Sequence, residues 1–191
     1  AEQRVGPRIR DRSSARFDED HQRWTAPFIM AGINTRVVRR SRALLGISMD
    51  HFSYDEAVAC RSQWQARTMS AGIKAFTLGA VLPPSRWLIG QFLPKPGQGP
   101  SKQQRDKGCF EVQIVGRTQG DGAEAGRITV GAQGDPGYSR TAVMLAEAAC
   151  CLAAGESTAD GGVHTPASAL GAALIERLKR SDFHFDFRAA T

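Results

Sequence analysis

The sequence has no apolar run long enough to span a bilayer, no Cys-x-x-Cys pair and only two tyrosines, and each shortage excludes something. The most apolar stretch, residues 69–93, is interrupted by Lys74 and by Pro83-Pro84 before the ~20 residues a spanning helix requires. It reads as a core helix; Trp87 and Phe92 with flanking Arg86 and Lys95 would also suit a helix lying at a membrane surface. The four cysteines, Cys60, Cys109, Cys150 and Cys151, have the spacing of neither a zinc knuckle nor a disulfide framework. Reduced, buried thiols of a cytoplasmic protein are expected instead. His21, His51, His164 and His184 are too scattered to form a metal site. There is no G-x-S-x-G elbow, no H-E-x-x-H and no G-x-x-x-x-G-K-[ST]. Neither Tyr54 nor Tyr138 has a lysine four residues on, which removes the Tyr/Lys pair of short-chain reductases. No signal peptide is read at the start, where the residues are polar and arginine-rich.

What is present is the composition of a globular domain: 191 residues, 41% hydrophobic and 23% charged. A chain of this length buries enough surface to fold without metal or disulfide staples. The net charge of +6 is uneven. Residues 1–107 hold 18 Lys/Arg against 9 Asp/Glu, and residues 108–191 hold 7 against 10. A basic first half admits an anionic lipid, a nucleic acid or a phosphorylated ligand, or a simply solvated face. The few aromatics among the arginines argue against single-strand nucleic-acid binding, which relies on stacking, and no nucleic-acid partner is expected.

Residues 1–23 lack hydrophobic periodicity and read as a flexible N-terminal stretch, with a single domain over 24–191. Trp24-Thr25-Ala26-Pro27 reads as a helix start: Thr25 caps, Pro27 fits the first turn and Trp24 staples onto Ile29. Ala26, Met30, Ile33, Val37 and Leu44 would then form the inner stripe, with Arg36, Arg39, Arg40 and Arg42 outside and Gly46 as the stop. A short strand is expected over 52–58. Ser62 to Gln65 has the spacing of a capping box, opening a helix that Pro83-Pro84 ends. A short apolar piece containing Trp87, Leu88 and Ile89 follows, and residues 95–107 read as a loop. Alternation predicts strands at 110–114 and 128–132, paired as a hairpin. Helices are expected over 138–154 and after Thr165-Pro166, the latter with a Leu170, Leu174, Leu178 stripe. Residues 183–187 alternate as a last strand. The order is not a regular βαβ repeat, so the fold class is α+β, a mostly antiparallel mixed sheet packed by helices.

One segment invites a nucleotide-binding reading: Gly131-Ala132-Gln133-Gly134-Asp135-Pro136-Gly137, between a strand and a helix. A dinucleotide fingerprint needs free backbone N–H groups aimed at a pyrophosphate. Pro136 removes one donor, and Asp135 places a carboxylate where the phosphate would sit. Asp135 is therefore expected to cap the helix, and no residue of this chain is expected to bind a cofactor.

Arg23-Trp24-Thr25-Ala26-Pro27-Phe28-Ile29-Met30, continuing through Ile33-Asn34-Thr35-Arg36-Val37-Val38-Arg39-Arg40-Ser41, resembles the saccharopine dehydrogenase-like oxidoreductases, most closely their trans-acting enoyl reductase branch. The likeness continues in Leu93-Pro94-Lys95-Pro96-Gly97, Gly99-Pro100-Ser101, Gly134-Asp135-Pro136-Gly137-Tyr138, Met144-Leu145-Ala146-Glu147, and Gly161-Gly162-Val163 before Thr165-Pro166. His164 and Cys109 depart from the family, which often has leucine and an aromatic there. The resemblance implies an enzyme whose N-terminal Rossmann domain binds NAD(P) and whose second domain shapes the substrate side, often with a dimer contact. This chain matches only that second, C-terminal part. The branch reduces enoyl intermediates in the synthesis of polyketide-derived glycolipids. The implied partners are thus a Rossmann domain, in cis or in trans, and a second copy; the chain alone is expected to be inactive. Asn34 and Thr35 offer an amide and a hydroxyl for a carbonyl or a nicotinamide carboxamide, or for helix packing. Tyr138, at a helix start, could polarise a carbonyl or serve as a core aromatic. Arg36, Arg39 and Arg40 could meet a phosphate or remain solvated. The other function the basic half allows is a non-catalytic binding module.

Overall fold

The computed structural model describes residues 12–47, 52–92, 99–118 and 120–190. They are α+β, with two separate antiparallel sheets of three strands each in place of one mixed sheet. The chain divides into two compact units, the first comprising residues 1–43 and 47–98 and the second residues 44–46 and 99–191.

In the first unit, β1 (Arg16–Asp18), β2 (Arg23–Pro27) and β3 (Ala57–Cys60) form a sheet with β2 in the centre. The 16–18 segment, part of the stretch read as flexible, is therefore a strand. The expected helix start at Thr25 is overturned for the same reason: 23–27 pairs on both sides, with Thr25 opposite Arg16 and Ala59. Two ladders satisfy more backbone groups than one local cap can. The Thr25 hydroxyl donates to the Arg16 carbonyl at 3.0 Å and accepts from Arg12 at 2.6 Å. Trp24 stacks edge-to-face on Phe17 across the strands, with centroids 5.7 Å apart. Pro27, at the strand's last position, ends the ladder. The core here is small: Ala26, Cys60 and Ala66, flanked by Ala15 and Trp24.

Helix α1 (Ala31–Leu44) begins after this strand, and Gly46, at φ +66°, stops it as expected. Its buried positions are Ala31, Thr35, Ser41 and Arg42. The expected apolar stripe is the outer one, with Met30, Ile33 and Val37 all exposed. The two hydroxyls can face inward because each is satisfied close by. Thr35 and Ser41 donate to the Ala31 and Val37 carbonyls at 2.7 and 2.8 Å; the Arg42 guanidinium lies 4.2 Å above the Phe52 ring, while its buried Nε has no hydrogen-bond partner. The expected strand over 52–58 survives only at its end, in β3.

Ser62 caps α2 (Gln63–Val81), accepting from the Gln65 N–H at 3.2 Å. Gln65 reaches back to the N–H of Arg61 rather than that of Ser62, so the box is one residue wider than expected. Proline ends this helix and opens the next, α3 (Pro83–Phe92). Among the described residues no helix is long and apolar enough to cross a membrane.

In the second unit, the Ser101–Gln104 capping box opens a short helix, α4 (Lys102–Lys107), inside the stretch read as loop. The predicted hairpin is present and longer, β4 (Cys109–Arg117) with β5 (Glu124–Gln133). The final strand β6 (Phe183–Ala189) pairs with β5, putting β5 in the centre. Helix α5 (Ser139–Ala153) matches expectation; the last one is split at Leu170 into α6 (Pro166–Ala169) and α7 (Gly171–Arg180). Ala132, Leu178 and Phe183 form the core, with Phe110, Val143, Met144, Leu174 and Phe185 packed on it. Arg177 ties α7 to the end of α5 through paired bonds to Glu156, each 2.8 Å. Of the cysteines, Cys60 and Cys151 are buried as expected; Cys109 and Cys150 are exposed, and all four are free.

Candidate functional site

The side chain of Asn34, on α1, donates to Glu56 Oε2 at 2.9 Å, and the Tyr54 phenol donates to Glu56 Oε1, also at 2.9 Å. One carboxylate thus joins an amide to a phenol. Tyr54 and Glu56 lie in the irregular segment just before β3, where alternate residues point the same way and reach one acceptor together. Burial, then the bond to Glu56 and the charges of Glu56 and Asp55, push the Tyr54 hydroxyl well above the ordinary phenol range. Tyr54 therefore keeps its proton across physiological pH, as a hydrogen-bond donor rather than a base. Its neighbour Asp55 accepts from Arg12 Nε at 2.8 Å. Arg12 also lies 3.5 Å from Asp18, which pairs with His21 Nδ1 at 3.0 Å. Burial raises the Asp18 carboxyl, but the bonds from His21 and the charges of His21 and Arg12 outweigh it and hold Asp18 below its usual range.

Of the two neighbours singled out on α1, the structure places Asn34 in this cluster and turns Thr35 away. Thr35 is 2% exposed, and its hydroxyl donates to the Ala31 carbonyl of its own helix. By the alternation over 52–58, Tyr54 and Glu56 are strand positions and nothing more. The available signal was a rare tyrosine set directly beside two carboxylates. Arg36 folds onto the carbonyl of Gly32 in its own helix. Arg39 keeps a buried amino nitrogen without a hydrogen-bond partner.

The glycine-rich corner between β5 and α5 uses its donors internally. Gly134 N–H goes to the Gly108 carbonyl at 2.6 Å, and Asp135 N–H to the Arg105 carbonyl at 2.9 Å. Tyr138 N–H goes to the Asp135 carboxylate at 2.7 Å. With Pro136 lacking a donor, this corner does not fit a pyrophosphate, and Asp135 would repel one. Tyr138 occupies the N-cap position and is 59% exposed. Its ring is not the core aromatic weighed above; it rests beside Gly99, where an added methyl would lie 3.6 Å from Cζ. The polar face of this unit's sheet forms a shallow concavity of about 420 Å³ lined by Glu111, Gln113, Arg127, Thr129, His184, Asp186 and Arg188. Its arginines are met by carboxylates, Arg127 by Glu124 at 3.1 Å and Arg188 by Asp186 at 3.2 Å, so no field of one sign develops there.

No protein-family model matches the chain, and no solved structure matches it. Curated relatives do. A Mycobacterium tuberculosis (strain H37Rv) protein provisionally named trans-acting enoyl reductase is 38% identical over 167 residues, 81% of this chain and 39% of its own length. The chain is similar to mycobacterial trans-acting enoyl reductases. The Mycobacterium leprae protein of that name is 33% identical over 167 residues, again 81% of this chain and 39% of the relative. The Mycobacterium ulcerans one is 30% identical over 168 residues, 83% and 40% respectively. The chain thus spans about two fifths of the length of the curated relatives it matches.

Proposed function

We propose that this chain is the substrate-side part of an NAD(P)H-dependent enoyl reductase of the saccharopine dehydrogenase-like kind, and that a Rossmann domain, in cis or in trans, grips the nucleotide. The supporting observation is the 38% identity to a trans-acting enoyl reductase over 81% of this chain but only 39% of that protein. The self-satisfied β5–α5 corner agrees with it, since this chain's own glycine-rich turn offers no cradle. In this reading the substrates are enoyl intermediates of polyketide-derived lipid synthesis. The setting is cytoplasmic, and the domain also serves for pairing with a second copy.

Tyr54 is the group we assign to the substrate. With substrate bound, the phenol turns its one proton from Glu56 Oε1 to the thioester carbonyl and stabilises the negative charge that develops on that oxygen. Asn34 and Glu56 are positioning residues: Asn34 fixes the Glu56 carboxylate, which accepts the phenol proton until a substrate takes it. Thr35 and Tyr138 take no part in that step.

The test is a transplant. Replacing the matching region of the M. tuberculosis relative with this chain should leave a folded protein that oxidises NADPH when given an enoyl thioester. A folded chimera that binds NADPH yet never turns over would sink the assignment. Within the active chimera, Tyr54→Phe should lower kcat by about a hundredfold with little change in KM. An unchanged kcat would remove Tyr54 from the chemistry and leave the wider reading to the transplant.

A further inference from the structure

Helix α2 carries more apolar surface than the first unit covers. Its buried positions are Ala66 and Ser70. On the far side Trp64, Ala71, Ala75, Leu78 and, just past the last turn, Leu82 fall in one line at helical spacing, and all are exposed. Trp64 is 76% and Leu78 66% exposed. Helix α3 is fastened to α2, with Ser85 donating to the Gly79 carbonyl at 2.7 Å and Ile89 packed where a Gly79 side chain would stand. It adds Trp87, 69% exposed, and Leu88. Arg67, Lys74 and Arg86 are exposed among these residues, and the sequence has no acidic residue between Glu56 and Asp106.

We propose that the α2–α3 hairpin seats the protein on an anionic membrane surface. The arrangement has the parts such a contact uses: tryptophans for the headgroup level, leucines for the acyl boundary and cations for lipid phosphates. The lysine and arginine stems can lie along the apolar surface while their charges stay in the headgroup layer. Charge argues against a second copy as the occupant. In a two-fold contact the same patch meets itself, and this patch has no carboxylate to face Arg67, Lys74 and Arg86. The inference stands independently of the reductase reading.

Vesicle partitioning tests it, using the chain with phosphatidylcholine alone and with phosphatidylcholine mixed with phosphatidylglycerol. Binding to the mixed vesicles should be at least about tenfold stronger at ~0.1 M salt and mostly lost at ~1 M. Brominated acyl chains should quench tryptophan emission of the unmodified chain on the mixed vesicles, a readout that needs no variant to fold. Leu78→Glu combined with Lys74→Glu should weaken binding at least about tenfold while far-UV circular dichroism stays unchanged. Three results overturn the proposal: equal binding to neutral and anionic vesicles, which marks apolar partitioning with no role for the cations; self-association abolished by Leu78→Glu without vesicle binding; or no binding to either vesicle.

Discussion

Replacing Asp135 by alanine separates the two roles open to the β5–α5 corner. The carboxylate accepts from the Tyr138 N–H at 2.7 Å, at the head of a 15-residue helix. The bond goes to the N-cap residue itself and not to an N–H inside the helix, so losing it costs about 1 kcal/mol as a side-chain–backbone hydrogen bond, and losing a negative charge near the positive end of the helix adds roughly 0.5 kcal/mol. The expected loss is therefore about 1–2 kcal/mol. In a unit of roughly a hundred residues each kcal/mol moves the melting temperature by about 4–8 °C. Asp135→Asn keeps an acceptor at the same place and should give up only the charge part, so it should melt between wild type and Asp135→Ala. Thermal melts followed by circular dichroism would read all three proteins. A nucleotide turn predicts something else: removing the carboxylate relieves repulsion and lets NADPH bind. Our reasoning forbids that, because Gly134 and Asp135 still spend their N–H groups on Gly108 and Arg105. An unshifted melt for Asp135→Ala, or micromolar NADPH binding by it, refutes the argument.

Other substitutions probe the packing of the second unit. A methyl at Gly131 would lie 2.5 Å from the Phe110 carbonyl oxygen and 2.6 Å from His184 Cε1, so Gly131→Ala should cost about 1–3 kcal/mol in urea unfolding. Adding His184→Ala should restore only part of that, because the Phe110 contact is backbone. Arg177 first, and then the Cys151 thiol, lower the Glu156 carboxyl from the ordinary 4.5 to about 2. A depressed carboxyl gives stability that is fully present above its unfolded value and is lost as pH falls through the folded one. Acid unfolding between about 4.5 and about 2 should therefore be steeper in wild type than in Glu156→Gln.

Where one physical signal dominated, the sequence could be read directly. The β4–β5 hairpin and β6 followed from strict alternation, and Leu170 and Leu178 from helical spacing over a real core. Around Trp24-Thr25-Ala26-Pro27 two local signals competed. Residues able to cap a helix were instead drawn into a strand with neighbours on both sides, one of them more than thirty residues away in the chain. Helix α1 misled further, because threonine and serine hydroxyls can bond their own helix carbonyls and so be buried cheaply. The capping box at Ser101 was legible but hidden among prolines, glycines and lysines. At the candidate site Asn34 was found as an odd polar residue on a helix, whereas Tyr54 and Glu56 needed three dimensions, since the bond from residue 34 to residue 56 has no local pattern. Residues 93–97, one block of the family resemblance, and 48–51 lie outside the described residues.

The central claim is that this chain carries the substrate side of a reductase and leaves the nucleotide to another domain. Calorimetric titration of NADPH into the purified chain tests it most directly. The account predicts no saturable heat at concentrations that fill an ordinary dinucleotide site. One-to-one binding in the micromolar range, with hydride passing to an enoyl thioester, would contradict it.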